Sequence, residues 1–152
     1  MRNLEKKILI IFLIFLTQCG YSSVYKNNSN NDIKIIISSL EGDKNFNIMI
    51  NEELKAYYNH DSKDYYEVDI ITTLDKVTIS KDATGKSSNF NIIATGIFKV
   101  KYKNTSKIFS FDENLKIKNN ADSFEQKKYE NFVKKDFARS MKEKLILELE
   151  IF

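Results

Sequence analysis

The sequence has no proline, no tryptophan, four glycines, one cysteine and one histidine in 152 residues. Such a composition excludes collagen-like, proline-rich and linker-dominated chains. The single cysteine, Cys19, excludes an intramolecular disulfide framework and any multi-cysteine zinc site. The single histidine, His60, excludes clustered-histidine metal sites and argues against Ser/His or Cys/His triads. Charge of one sign is also scarce. Lys and Arg number 24, Asp and Glu 21, and the net charge is +3. That balance carries no footprint for nucleic acid. What remains is globular in kind, with 42% apolar and 30% charged residues. The length is that of one domain.

The N-terminus carries the strongest local signal. Arg2, Lys6 and Lys7 precede nine consecutive apolar residues, 8–16. Nine residues are too few to cross a bilayer as a helix, which takes about 20. They suit the apolar part of an export signal. Leu16-Thr17-Gln18-Cys19-Gly20 follows, and a Leu three positions before a Cys resembles a lipoprotein lipobox. Residues 1–18 are therefore expected to be a signal peptide, with Cys19 as the lipidated residue. Acylation needs the thiol and the new amino group, and more than one chain gives stable anchoring. Gly20 stands where an inner-membrane retention signal would place Asp, so an outer-membrane, periplasm-facing location is expected. Residues 19–152 hold 21 basic and 20 acidic residues.

Residues 19–32 read as the lipidated Cys with a polar, Asn-rich tether, and 33–152 as one domain. The apolar run 33–39 predicts a first strand. Phe46, Met49, Ile50, Leu54, Tyr57 and Tyr58 fall at helical spacing, with Asp43 as cap, and predict a helix over about 43–59. Tyr66, Val68, Ile70, Thr72 and Leu74 alternate as a strand. Val77 and Ile79 break that parity, which suggests a bulge near Asp75-Lys76. After the turn 81–88, alternation runs from Phe90 to Tyr102, then from Phe109 to Ile117. A last helix is expected over about 122–149, burying Phe124, Phe132, Val133, Phe137, Met141, Leu145 and Leu149. Lys128, Lys135 and Lys142 would form its exposed stripe. The order β-α-β-β-β-α predicts an α+β two-layer sandwich. Its four-stranded, mostly antiparallel sheet carries two helices on one face.

Three stretches carry a resemblance: Cys19 to Tyr25, Phe90 to Tyr102, and Tyr129 to Leu149. With the element order, they resemble the LptE family of lipopolysaccharide-assembly lipoproteins. The resemblance implies an outer-membrane lipoprotein that binds an LptD-like β-barrel, assists its assembly, plugs its lumen and contacts lipopolysaccharide. It implies no catalysis and no cofactor.

Strand alternation places Lys99, Lys101, Lys103, Lys116 and Lys118 opposite the apolar positions, so they are expected on the open sheet face. Lys81 and Lys86 flank the turn before them. Together they form the candidate surface for phosphorylated lipid heads, through charge-assisted contacts. Other constellations weigh less. Glu52-Glu53 and Asp112-Glu113 are adjacent pairs whose members point apart, so neither forms a carboxylate dyad. Residues 82–86 lack phosphate-loop spacing. An alternative of another class is a periplasmic lipid-binding or ABC-transport accessory lipoprotein, which would hold acyl chains in an apolar cavity.

Overall fold

The computed structural model describes residues 33–58, 62 and 64–152. The signal peptide, Cys19, the tether and His60 lie outside these residues. β1 spans Ile35–Gly42, α1 Lys44–Leu54, β2 Tyr66–Lys81, β3 Ser87–Tyr102, β4 Thr105–Lys118 and α2 Ser123–Glu150. The strands form one sheet in the order β1-β2-β3-β4. β1 runs parallel to β2 because α1 is the crossover between them, and the other two pairings are antiparallel hairpins. This is the α+β two-layer sandwich that the sequence pattern predicts.

Local chemistry sets the element boundaries. Gly42 has φ +96°, and a Cβ there would lie 1.8 Å from the Thr72 carbonyl oxygen. Only glycine lets the chain leave the sheet so close to β2. Asp43 then caps α1, its Oδ1 accepting from the Phe46 N–H at 2.8 Å. Such a side-chain oxygen satisfies a donor that the first helical turn leaves open. α1 ends at Leu54, earlier than the apolar spacing suggests, and one 3₁₀ turn over Lys55–Tyr57 follows. Asp122 caps α2 by accepting from the N–H groups of Phe124 and Glu125. Residues 119 and 120 tie that start to the sheet. Asn119 donates its N–H to the Ser88 carbonyl, and Asn120 donates its own to Gln126 Oε1.

The core lies between the helices and one face of the sheet. Phe46, Ile50, Val68, Ile70, Phe98 and Met141 are fully buried there. Gly96 makes room for α2, since a Cβ there would lie 2.9 Å from Met141 Sδ. One polar pair sits inside: Thr72 Oγ1 donates to Asn47 Oδ1 at 2.8 Å, and Asn47 Nδ2 donates to the Glu41 carbonyl. A buried amide paired on both sides escapes the cost of desolvation.

Three expectations are corrected. The register runs unbroken through Asp75↔Ile93, Lys76↔Ile92 and Val77↔Asn91, so no bulge lies at Asp75-Lys76. The irregularities fall later, between Thr78 and Ser80 and between Ser80 and Lys81. Val77 and Ile79 point to the open face instead, while Lys76 stays on the helix side and donates to Glu130 of α2 at 2.6 Å. Parity changed because the cover over this end of β2 is polar, not because the backbone slipped. Phe124 and Phe132, expected in the core, are 71% and 65% exposed. Phe124 and buried Val133 are nine positions apart, about two and a half turns, and so lie on opposite sides of α2. Lys142, expected in an exposed stripe, has a side chain only 19% exposed. From Val133 the buried stripe advances through Phe137, Met141, Leu145 and Leu149 in fours. Each step of four turns the stripe by about 40° around the helix. The flank open at Lys128 is thus largely covered by Lys142.

Candidate functional site

Register assigns the open face residue by residue. Glu67, Lys101 and Ser106 form one row across β2, β3 and β4, and Asp69, Lys99 and Ile108 the next. The centre mixes apolar and polar positions and holds two acids but no lysine: Ile71 beside Ile97, then Thr73, Thr95 and Asp112, then Asp75, Ile93 and Asn114. Val77, Asn91 and Lys116 follow, and Lys118 pairs with Asn89 beyond them. Asn91 Oδ1 is shielded from solvent and has no hydrogen-bond partner among the described residues.

The seven candidate lysines therefore do not form one cluster. Lys99 and Lys101 sit at the β1-start end of the sheet, where Asp69 and Glu67 face them across the ladder. Lys101 Nζ lies 3.8 Å from Glu67 Oε2. Lys103 is not on the sheet face but in the β3–β4 turn, at φ 50°. It donates to Asp64 Oδ2 at 3.0 Å, beside a second bond from the Tyr102 hydroxyl. These two bonds, Lys103's first, hold the Asp64 carboxyl below its ordinary range. Asp64, Tyr65, Glu67 and Lys101–Lys103 line a shallow depression at this end.

The other four come together. Lys116 pairs with Asn91, which lies ten residues along β3 from Lys101. At the rise of a strand that separation is roughly 33 Å. Lys118 is next to Lys116 on β4, and Lys81 and Lys86 bracket the hairpin turn at the same end. Asp82 in that turn is already engaged. It accepts from the Thr84 hydroxyl and from the N–H groups of Thr84 and Lys86, which keep its carboxyl low. Lys81, Lys86, Lys116 and Lys118 have no ion pair among the described residues. α2 starts at this end too and adds Lys127, Lys128 and Lys135, which line a groove with Phe124, Asn131 and Phe132. Sequence reading missed this groove because it assigned both phenylalanines to the core. The nine-position spacing from Phe124 to Val133 was the signal that could have found it.

The carboxylates hold the fold together. Asp112 accepts from Thr95 on the open face. Its neighbour Glu113 faces α2 and accepts from Ser140 Oγ and Lys144 Nζ, both at 2.6 Å. Glu130 is partly buried, which draws its carboxyl upward. Hydrogen bonds from Lys76 and Gln126 outweigh that and leave it below its ordinary value. Among the described residues, no group of three or more His, Cys, Asp or Glu side chains is placed to hold a metal ion. No helix among them is long and apolar enough to cross a membrane.

The sequence matches no family model and no curated protein. Solved structures do share its fold. Rare lipoprotein B from Shewanella oneidensis superposes with a TM-score of 0.56 at 15% identity, covering 78% of this chain and 93% of that one. A Caulobacter crescentus CB15 protein described as a "putative lipoprotein" gives 0.53 at 10% identity, covering 78% and 87%. At these identities the likeness is one of fold: a four-stranded sheet carrying two helices on one face.

Proposed function

We propose that this chain is an outer-membrane lipoprotein, anchored through Cys19, that assists assembly of an LptD-like lipopolysaccharide-translocating β-barrel. It plugs the barrel and contacts lipopolysaccharide, and it catalyses no reaction. The observation that carries this reading is the fold match, which spans 93% of a protein named rare lipoprotein B. The lipobox at Leu16 to Cys19 supports it independently. A plug must be rigid and present a polar surface to a polar barrel interior. Two long hairpins stiffened by α2, with Thr, Ser, Asp and Asn interleaved among the isoleucines of the open face, meet that need. The lysines at the hairpin end offer charge-assisted contacts to lipid phosphates.

The acyl-chain carrier reading requires space between the helices and the sheet. Phe46, Ile50, Phe98 and Met141 fill that space and are fully buried. The test is an affinity pull-down from detergent-solubilised envelopes of the native organism, read by mass spectrometry. A large β-barrel protein in roughly equal amount is the expected result. Recovery of an inner-membrane transporter component, or of no partner, overturns the barrel reading.

A further inference from the structure

The first half of α2 presents an unusual surface. Phe124 and Phe132 project away from the core at 71% and 65% exposure. Neither belongs to the core cluster. Scattered exposed apolar residues need no explanation, but two phenylalanines flanking one groove do. That groove is rimmed by Lys127, Lys128 and Lys135. Lys128 lies 3.8 Å from Glu125, while Lys127 and Lys135 have no ion pair among the described residues. The four unpaired lysines of the hairpin end belong to the same end of the molecule, because Asn119 and Asn120 fasten the start of α2 there. The positive pole of the helix adds to them.

Aromatic rings framed by lysines along one flank of a helix match an anionic lipid–water interface. The rings enter the acyl boundary, and the lysine stems extend to the phosphates. Each lysine near such a surface adds to the attraction. We propose that the first half of α2 docks on an anionic phospholipid bilayer, with Phe124 and Phe132 inserted and Lys127, Lys128 and Lys135 on the headgroup phosphates. This goes beyond the barrel reading and stands without it. The patch is on the helix side of the molecule, apart from the open sheet face.

The absence of tryptophan makes the test direct. Phe132→Trp and Ile108→Trp each introduce a single fluorophore, the first in the patch and the second on the sheet side at a site 64% exposed. The full-length variants are reconstituted into phosphatidylcholine vesicles with one-quarter phosphatidylglycerol and brominated acyl chains. Residue 132 should emit to the blue and be quenched severalfold more than residue 108. Omitting the phosphatidylglycerol, or adding Lys127→Glu, Lys128→Glu and Lys135→Glu, should return it to the level of residue 108. Equal quenching at the two sites, no quenching at 132, or quenching indifferent to anionic lipid overturns the proposal. A blue shift at 132 that appears only with a purified β-barrel assigns the patch to a protein and overturns it too. Recovery of a barrel in the pull-down bears on the partner alone, so the two ideas fail separately.

Discussion

The two ends of the sheet use the same residue types to opposite effect. At the end where β1 begins, aromatic rings pack on one another. Tyr66 stacks on Tyr102 at 4.7 Å, and Phe152 meets the edge of Phe109 at 6.3 Å. The Tyr66 hydroxyl donates to the Leu149 carbonyl and ties down the end of α2. Three lysines there have carboxylates within reach, Lys101 with Glu67, Lys103 with Asp64 and Lys107 with Glu148, and Lys99 has Asp69 opposite it in the ladder. At the hairpin end the phenylalanines of α2 face outward, and four lysines stand without an acid among the described residues. The first end packs its rings on one another, while the hairpin end pairs Lys76 with Glu130 but leaves Phe124, Phe132 and four lysines facing outward. A lysine count cannot distinguish them, because availability depends on the neighbour across the ladder.

Phenylalanine truncation should separate the two ends most. Phe109→Ala should cost about 3–5 kcal/mol, the range for emptying a buried ring site. Phe132→Ala should stay within about 0.5 kcal/mol, as for an exposed position. Urea denaturation of both variants checks this, and equal losses would erase the contrast. Gln126→Leu strands the Asn120 N–H at the start of α2. Losing that hydrogen bond should cost about 0.5–1.5 kcal/mol. Hydrogen exchange at residues 119–126 should accelerate in that variant while the aromatic end stays protected.

Charge reversal addresses the lysines themselves. Lys116→Glu with Lys118→Glu should weaken binding to lipopolysaccharide about tenfold. Lys99→Glu with Lys101→Glu should weaken it less, because Glu67 lies 3.8 Å from Lys101 and Asp69 faces Lys99 across the ladder. Binding to lipopolysaccharide micelles at two salt concentrations measures both. The smallest effect concerns pH. The Asp64 carboxyl is held below its ordinary value, so the folded form favours the charged state. Its contribution is present above the ordinary carboxylate value and is lost as pH falls through the lowered one. Thermal midpoints of the native chain and Asp64→Asn should differ slightly at neutral pH and converge in acid.

Much of the fold was legible because alternation and helical spacing are local properties. Asp43 marked the start of α1, and the run from Phe90 to Tyr102 announced β3. Less of the candidate site could be read. The lysines of β3 and β4 were placed opposite the apolar parity correctly, but their division between two ends needed the register. Lys103 left the face because a tight turn took it. Val77 and Ile79 changed sides without any slip of the backbone at Asp75-Lys76, since apolarity reports burial only where something covers the strand.

Element order and helix caps could be read from the chain alone, because each follows from hydrogen bonding and periodicity within a few residues. Packing settled which face of α2 is buried, which lysines meet acids, why Gly42 must be glycine and why Gly96 sits against Met141. Those depend on atoms brought together from distant positions: the Thr72 carbonyl, the Met141 sulfur and the carboxylates across the ladder. No periodicity along the chain encodes a contact of that kind.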